Sequence, residues 1–249
     1  MKYPQTLEKI PIVAYVYALI LIFPHTAEAM HIMEGYLPLI HCIAWYVVCI
    51  PFVAIGVMSI RHILQKKKRL LILLAMSGAF VFVLSSLKLP SVTGSSSHMT
   101  GTGLAAILFG PAITSVLGII ALLFQAVLLA HGGLTTLGAN TFALIAGSLF
   151  VWSLYALGKK LNLNRKVNIF AAAALGDLFA YCVTAVQLAA AYPSETGGVT
   201  ASAVKFLGVF APTQLPLAVV GGLLTVLIVI GLENFAKPEL KEIAFWEAK

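Results

Sequence analysis

"LAAILFGPAITSVLGIIALLFQAVLLA", residues Leu104 to Ala130, is one apolar stretch with a Gly-Pro step inside it, at Gly110-Pro111. Whether it crosses a membrane once or twice decides the fold. It is long enough for one crossing, which needs about 20 residues. Proline, however, lacks an amide N–H and its ring clashes with the preceding turn, so it breaks or kinks helices. The flanking loops give the answer. Two loops are dense in positive charge, "RHILQKKKR" (Arg61 to Arg69) and "GKKLNLNRK" (Gly158 to Lys166). Such loops stay on the cytosolic side. Leu70 to Leu87 leads outward from the first, and Leu137 to Leu157 leads inward to the second. The stretch between them must therefore enter and leave, as a short descending helix, a Gly-Pro turn and a longer ascending helix. The descending piece is too short to cross alone and must be shielded by protein, because lipid cannot satisfy its backbone.

The same parity runs the whole chain. Ile40 to Ile60 crosses inward, Val167 to Ala191 outward, and Val204 to Gly231 inward with an interruption at Pro212 and Pro216. That makes seven membrane segments, an all-α multi-pass protein of the cell membrane with one segment short or re-entrant. Its mature amino terminus is outside, and a short tail from about residue 233 to 249 is cytosolic. Composition agrees. The chain has 249 residues, 60% of them apolar and 10% charged, with a mean hydropathy of +0.99. Soluble domains carry roughly 25% charged residues, so these few charges could not cover a water-facing surface. The net charge of +7 sits in short runs between apolar segments, which points to topology and away from a nucleic-acid surface. Cys42, Cys49 and Cys182 lie in apolar stretches without a CxxC pair, and read as small buried hydrophobes.

The first 29 residues read as a cleaved secretory leader. Lys2 and Lys9 precede the apolar "IVAYVYALILIF", and Ala27-Glu28-Ala29 supplies small residues where a signal peptidase reads them. An uncleaved first helix is the alternative. Cleavage after Ala29 leaves residues 30–249 as the mature domain, with Met30 as a free amine and His31 second.

That terminus carries chemistry. The Met30 amine, the His31 amide and the His31 imidazole close two fused chelate rings on one ion. A second imidazole completes a square, and square-planar nitrogen sets favour Ni(II) or Cu(II). His98, in the outward loop "KLPSVTGSSSHMTGTG", lies on the same face and is the fourth ligand by this reading. A solvated His98 and an interfacial His31 are the plain alternatives. No catalytic motif stands beside this set. HExxH, GxSxG and a Walker A lysine are all absent, so ATP hydrolysis would have to come from separate subunits. Asp177, inside Val167 to Ala191, is an intramembrane acid and a functional candidate by default. Its expected partners are Gln187 or Asn140. Glu34 would order the N-terminal segment by a salt bridge or hydrogen bond.

"MHIMEGYLP", "LPSVTGSSSHMTGTGLAAILFGP" and "AHGGLTTLGAN" together resemble the signature stretches of the CbiM/NikM family, the substrate-capture components of energy-coupling factor importers for cobalt and nickel. The resemblance covers Met30 to about Gly231. It implies a six-helix fold with one added N-terminal helix, and an amino-terminal segment folded back into the protein to hold the metal. It implies Met30, His31 and His98 as metal ligands. By their own positions His131 and Asn140, flanking the external turn, are candidates to support the ligand loop or simply to form that turn, Glu34 to order the terminal segment, and Asp177 to serve the metal or tie helices together. The partners it implies are a membrane T component, cytosolic ATP-binding subunits and an additional small membrane subunit. The docking helix of the family resembles Leu70 to Leu87, whose Ala75 and Ala79 would leave a flat face for close packing. No cofactor is expected, the divalent metal being cargo. Cobalt uptake for cobalamin synthesis is the first expectation and nickel uptake the second. A structural membrane subunit with no metal site of its own is the reading from another class.

Overall fold

The computed structural model describes residues 31–90 and 96–243. The leader, Met30 and the last residues of the tail lie outside the described residues. The elements are α1 (Leu39–Lys66), α2 (Leu70–Ser86), β1 (Leu89–Pro90), β2 (Ser96–Ser97), α3 (Thr102–Phe109), α4 (Pro111–Leu129), α5 (Leu137–Lys160), α6 (Arg165–Ala191), α7 (Gly198–Phe235) and α8 (Lys237–Glu242). Five of these helices (α1, α4, α5, α6 and α7) are long and apolar enough to cross a membrane, and α2 is a shorter apolar helix of 17 residues. Large apolar side chains point outward along them, as at Ile50, Val127 and Leu227. A bundle that shows its apolar side chains to the solvent is built for lipid. The protein is an all-α membrane bundle.

The break at Gly110 falls as the parity argument requires. α3 ends at Phe109, Gly110 takes φ +81°, and Pro111 opens α4 at the first helical position. Proline is tolerated there because the amide it lacks would be unpaired anyway. α3 has eight residues, about 12 Å of rise. It can be that short because the loop before it dips into the bundle. The Thr100 amide donates to Asp177 near the middle of α6, so α3 starts deep and has only the remaining distance to cover. It is shielded by protein over seven of its eight residues, Thr102 to Leu108 being buried.

α1 meets the bundle along a narrow stripe. Cys42, Cys49 and Gly56, seven apart, are its buried residues. The Cys49 thiol reaches the Gly138 carbonyl at 3.2 Å. Cys42 and Cys49 are buried free thiols, and Cys182 is half-buried.

α7 corrects the expected interruption at Pro212 and Pro216. The helix runs unbroken through both, from Gly198 to Phe235. Membrane helices absorb proline where neighbouring groups take up the freed carbonyls. The carbonyls freed here are those of Gly208 and Pro212, and α6 packs along the helix; the Thr213 hydroxyl adds a separate bond to the Phe210 carbonyl at 3.1 Å. At 38 residues, about 57 Å of rise, α7 exceeds the roughly 30 Å hydrocarbon thickness. It links the end that carries the histidine loops to the end where Glu233 pairs with Arg165 at 2.8 Å.

Candidate metal centre

Three loops bring one histidine each to the same place. His31 lies in the segment before α1, His98 between β2 and α3, and His131 between α4 and α5. Their ligand nitrogens all lie within 4.8 Å of one another. The ring centroids are 4.1 Å apart for His31–His98, 4.8 Å for His31–His131 and 5.0 Å for His98–His131. All three side chains are buried. Two nitrogens bound across one ion at about 2 Å each stand roughly 4 Å apart, so small ring rotations bring these three onto a common centre.

The backbone explains how the first histidine gets inside. Residues 32–35 are tied to the 132–140 segment by backbone and side-chain hydrogen bonds. The Ile32 amide donates to Asn140 Oδ1 at 2.8 Å, and Asn140 Nδ2 donates back to the Ile32 carbonyl at 3.0 Å. The Thr136 hydroxyl also donates to that carbonyl, at 2.6 Å. Two residues on, the Glu34 amide donates to the Gly132 carbonyl at 3.2 Å, and the Thr135 amide donates to the Glu34 carboxylate at 3.0 Å. Asn140 thus reads backbone on both sides, and Glu34 orders the segment through an amide hydrogen bond. Close approach needs Gly132 and Gly133. Gly132 has φ +72°, and a Cβ on Gly133 would stand 2.5 Å from the Glu34 Cα.

His98 is held differently. A β1–β2 hairpin, paired Leu89 with Ser97, delivers it. Its Nδ1 lies 3.1 Å from the Met99 carbonyl. Only an N–H can face a carbonyl at that distance, so the proton sits on Nδ1 and Nε2 keeps its lone pair. That Nε2, His131 Nε2 and both His31 nitrogens are buried without a hydrogen-bond partner among the described residues. A buried polar atom left unpaired costs about 1–3 kcal/mol, and each neutral ring offers one lone-pair nitrogen, so three imidazoles at one point ask for a shared electrophile. Protonation does not suit them. Burial, with the neighbouring rings and the Lys88 charge, pushes His31 well below its ordinary value. Burial drives His98 down to about 4, and burial with His98 and Lys88 drives His131 to about 3. Neutral, inward-facing imidazoles at working pH are what a transition metal requires.

The sequence placed His131 outside the ligand set, as support for the loop. In the structure its ring nitrogen stands at the same centre as those of His31 and His98. The signal was available. Parity puts "HGGLTTLGAN" on the face of the other two histidines, although the Gly-Gly after His131 reads as a turn. Asp177 needs a correction of partner. Gln187 is ten residues further along α6, about 15 Å away, and donates instead to the Ala139 carbonyl, while Asn140 is engaged by Ile32. Asp177 accepts from the Thr100 amide and from Gln214, both at 2.6 Å. Ala75 and Ala79 lie exposed on α2 in one row with Leu71 and Val83.

Comparison with known proteins agrees with this architecture. A family model described as the cobalt uptake substrate-specific transmembrane region matches residues 31–240. The chain is 60% identical over 237 residues to a cobalt transport protein CbiM of Lachnoclostridium phytofermentans, with 95% of each chain covered. It is 48% identical over 244 residues to the CbiM of Clostridium cellulovorans, covering 98% of this chain and 94% of that one. A crystal structure of a transition metal transporter superposes with a TM-score of 0.72 at 23% identity, over 88% of this chain and 99% of that one. This last likeness supports the fold. By sequence the chain belongs to the CbiM family of transmembrane transport proteins.

Proposed function

We propose that the protein captures divalent cobalt at the outer face of the cell membrane and delivers it inward as the substrate-binding subunit of an energy-coupling factor importer, for cobalamin synthesis. The observation that carries this reading is the set of three buried imidazoles with unpartnered ring nitrogens around one centre. The metal is held by the Met30 amine, the His31 amide and imidazole, and the His98 imidazole, with His131 facing the same centre. Relatives named as cobalt transport proteins favour cobalt. The planar nitrogen set itself suits Ni(II), which keeps nickel as the second cargo to test.

In this reading residues 1–29 are removed, the new terminus lies outside and the tail is cytosolic. The test uses one preparation of the full chain purified from membranes. Intact mass should show Met30 at the terminus. Titration should show one equivalent of Co(II) or Ni(II) bound, with binding lost in His31→Ala. A processed chain that binds neither metal would refute the function.

The chain carries no ATP-binding motif, so transport depends on a membrane T component and cytosolic ATP-binding subunits, with room for a small accessory membrane subunit. The α2 row of Leu71, Ala75, Ala79 and Val83 is the docking face, because two alanines four apart let a partner helix approach closely. Ala75→Leu with Ala79→Leu should cut metal uptake about tenfold or more while metal affinity stays at the parent value, the side-chain bulk costing about 1–3 kcal/mol at the contact. Full co-purification of the T component with this variant would rule the face out.

A further inference from the structure

Asp177 is a buried carboxylate inside a membrane-spanning helix, 5% exposed, and among the described residues no cationic side chain stands within ion-pair distance of it. Each of its two oxygens nevertheless accepts a hydrogen bond. Oδ1 accepts the Thr100 amide and Oδ2 accepts Gln214 Nε2, each at 2.6 Å. The same Gln214 nitrogen donates to the His98 carbonyl at 3.2 Å. One turn position earlier on α7, Thr213 Oγ1 meets Ser97 Oγ at 2.8 Å. Residues 97, 98 and 100 of the loop are thus each fastened to α6 or α7, and His98 lies in the middle of the fastened stretch.

We propose that Asp177 and Gln214 are positioning residues for metal capture: together they fix the backbone of His98 so that its Nε2 faces the metal. This rests on the functional reading above and names who aims one of its ligands. The carboxylate does two things. It anchors Thr100 directly. It also selects the orientation of the Gln214 amide, because a carboxylate only accepts and so draws the NH2 end towards itself. That end is the one able to donate to the His98 carbonyl. An amide oxygen turned to the same place would repel that carbonyl. The His98 ring is then oriented from its own side by Nδ1 against the Met99 carbonyl. A flexible Gly/Ser-rich loop thereby presents a rigid ligand. Supporting groups of this kind usually contribute about 10–100-fold to metal affinity. The buried negative charge also makes the loop a better seat for a cation than for a neutral solute. Helix α7 contributes its two loop contacts at Thr213 and Gln214, between Pro212 and Pro216, where its backbone ladder is thinned.

The test is Asp177→Asn in the full processed chain in detergent, with Ni(II) as probe, in the parent and in a His98→Ala background. Asn keeps the acceptor for Thr100 but turns an NH2 towards Gln214, which must flip and lose the His98 carbonyl. Affinity should fall about tenfold or more, and the visible d–d band of bound Ni(II) should shift as the His98 donor is displaced. In the His98→Ala background the same change should cost nothing further, because its effect passes through His98. Unchanged affinity overturns the proposal, and so does an equal loss in the His98→Ala background or a loss with an unmoved band. Should Asp177→Asn fail to fold, Gln214→Leu, which leaves the Thr100 bond in place, is judged by the same readings. A parent chain that binds no metal would instead refute the function and leave the loop geometry untouched.

Discussion

Gly133→Ala should abolish high-affinity metal binding while leaving the bundle folded. The added methyl would lie 2.5 Å from the Glu34 Cα, 2.6 Å from its amide nitrogen and 2.5 Å from Oε2. The carboxylate can swing aside, but the two backbone atoms cannot move without lifting the segment. The Gly133 backbone is not in the left-handed region, so the alanine itself is not strained. The entire cost falls on the contact with residues 31–38. Overpacking against backbone costs about 3 kcal/mol at its upper range, roughly a hundredfold in affinity. Two hydrogen bonds go with it, Glu34 N–H to the Gly132 carbonyl and Thr135 N–H to the Glu34 carboxylate. Gly208→Ala is the control, since a Cβ there meets nothing within 4 Å. Calorimetric titration with Co(II), beside thermal melts of both variants, checks the expectation. Parent affinity in Gly133→Ala would mean that the N-terminal segment does not carry the metal.

Glycine at 133 illustrates what a sequence can and cannot disclose. "HGGLTTLGAN" reads as a turn, and nothing local tells that the segment before α1 lies on it. Where the cause was local, the fold was legible. The Gly110-Pro111 break, the two basic loops and the apolar lengths place the membrane helices to within a few residues, apart from α1, which runs on through the basic stretch to Lys66, and the early start and late end of α7. Where the cause was a neighbour, it was not. Pro212 and Pro216 predict an interruption on their own, yet α7, packed along α6, runs whole through both. Asp177 announces itself as an intramembrane acid, but its partners Thr100 and Gln214 lie 77 and 37 residues away, beyond any spacing rule. His98 and His131 differ in the same way. Parity places both on the face of His31, yet only the depth to which each loop dips decides which ring nitrogens meet.

The pH dependence of metal affinity should separate an amine-and-amide chelate from a site made of imidazoles alone. Protons compete with the metal for every ligand, so the slope of log affinity against pH counts the protons released on binding. Exposed histidines would release theirs below about 6.5. These do not, because burial holds His98 near 4, His131 near 3 and His31 well below its ordinary value. A lowered value means that the imidazole is neutral, and ready to bind, throughout the range above it. Between pH 5 and 7 His98 and His131 therefore contribute almost no slope, and His31 less than an exposed histidine would. A terminal amine titrates at about 7.7–8.0 and is protonated across that range, while a peptide amide carries its proton at every accessible pH. The chelate built on Met30 and His31 should thus lose affinity by about two decades per pH unit from pH 7 to 5, and by about one per unit above pH 8, where only the amide proton remains to be released. A three-imidazole site would give a flat line over the lower range. Acetylating the Met30 amine adds the second half of the test. It keeps every side chain and removes one ligand and the fused ring that ligand closes. Outer contacts alone are worth about 10–100-fold, so loss of a direct ligand should exceed about a hundredfold. An alanine inserted between Met30 and His31 is the poorer probe, because an amine, two amides and a histidine in third place form a complete planar set without help from His98. Titrations of acetylated and free chains from pH 5 to 9 decide the matter. A flat profile with no effect of acetylation would assign the metal to His31, His98 and His131 alone.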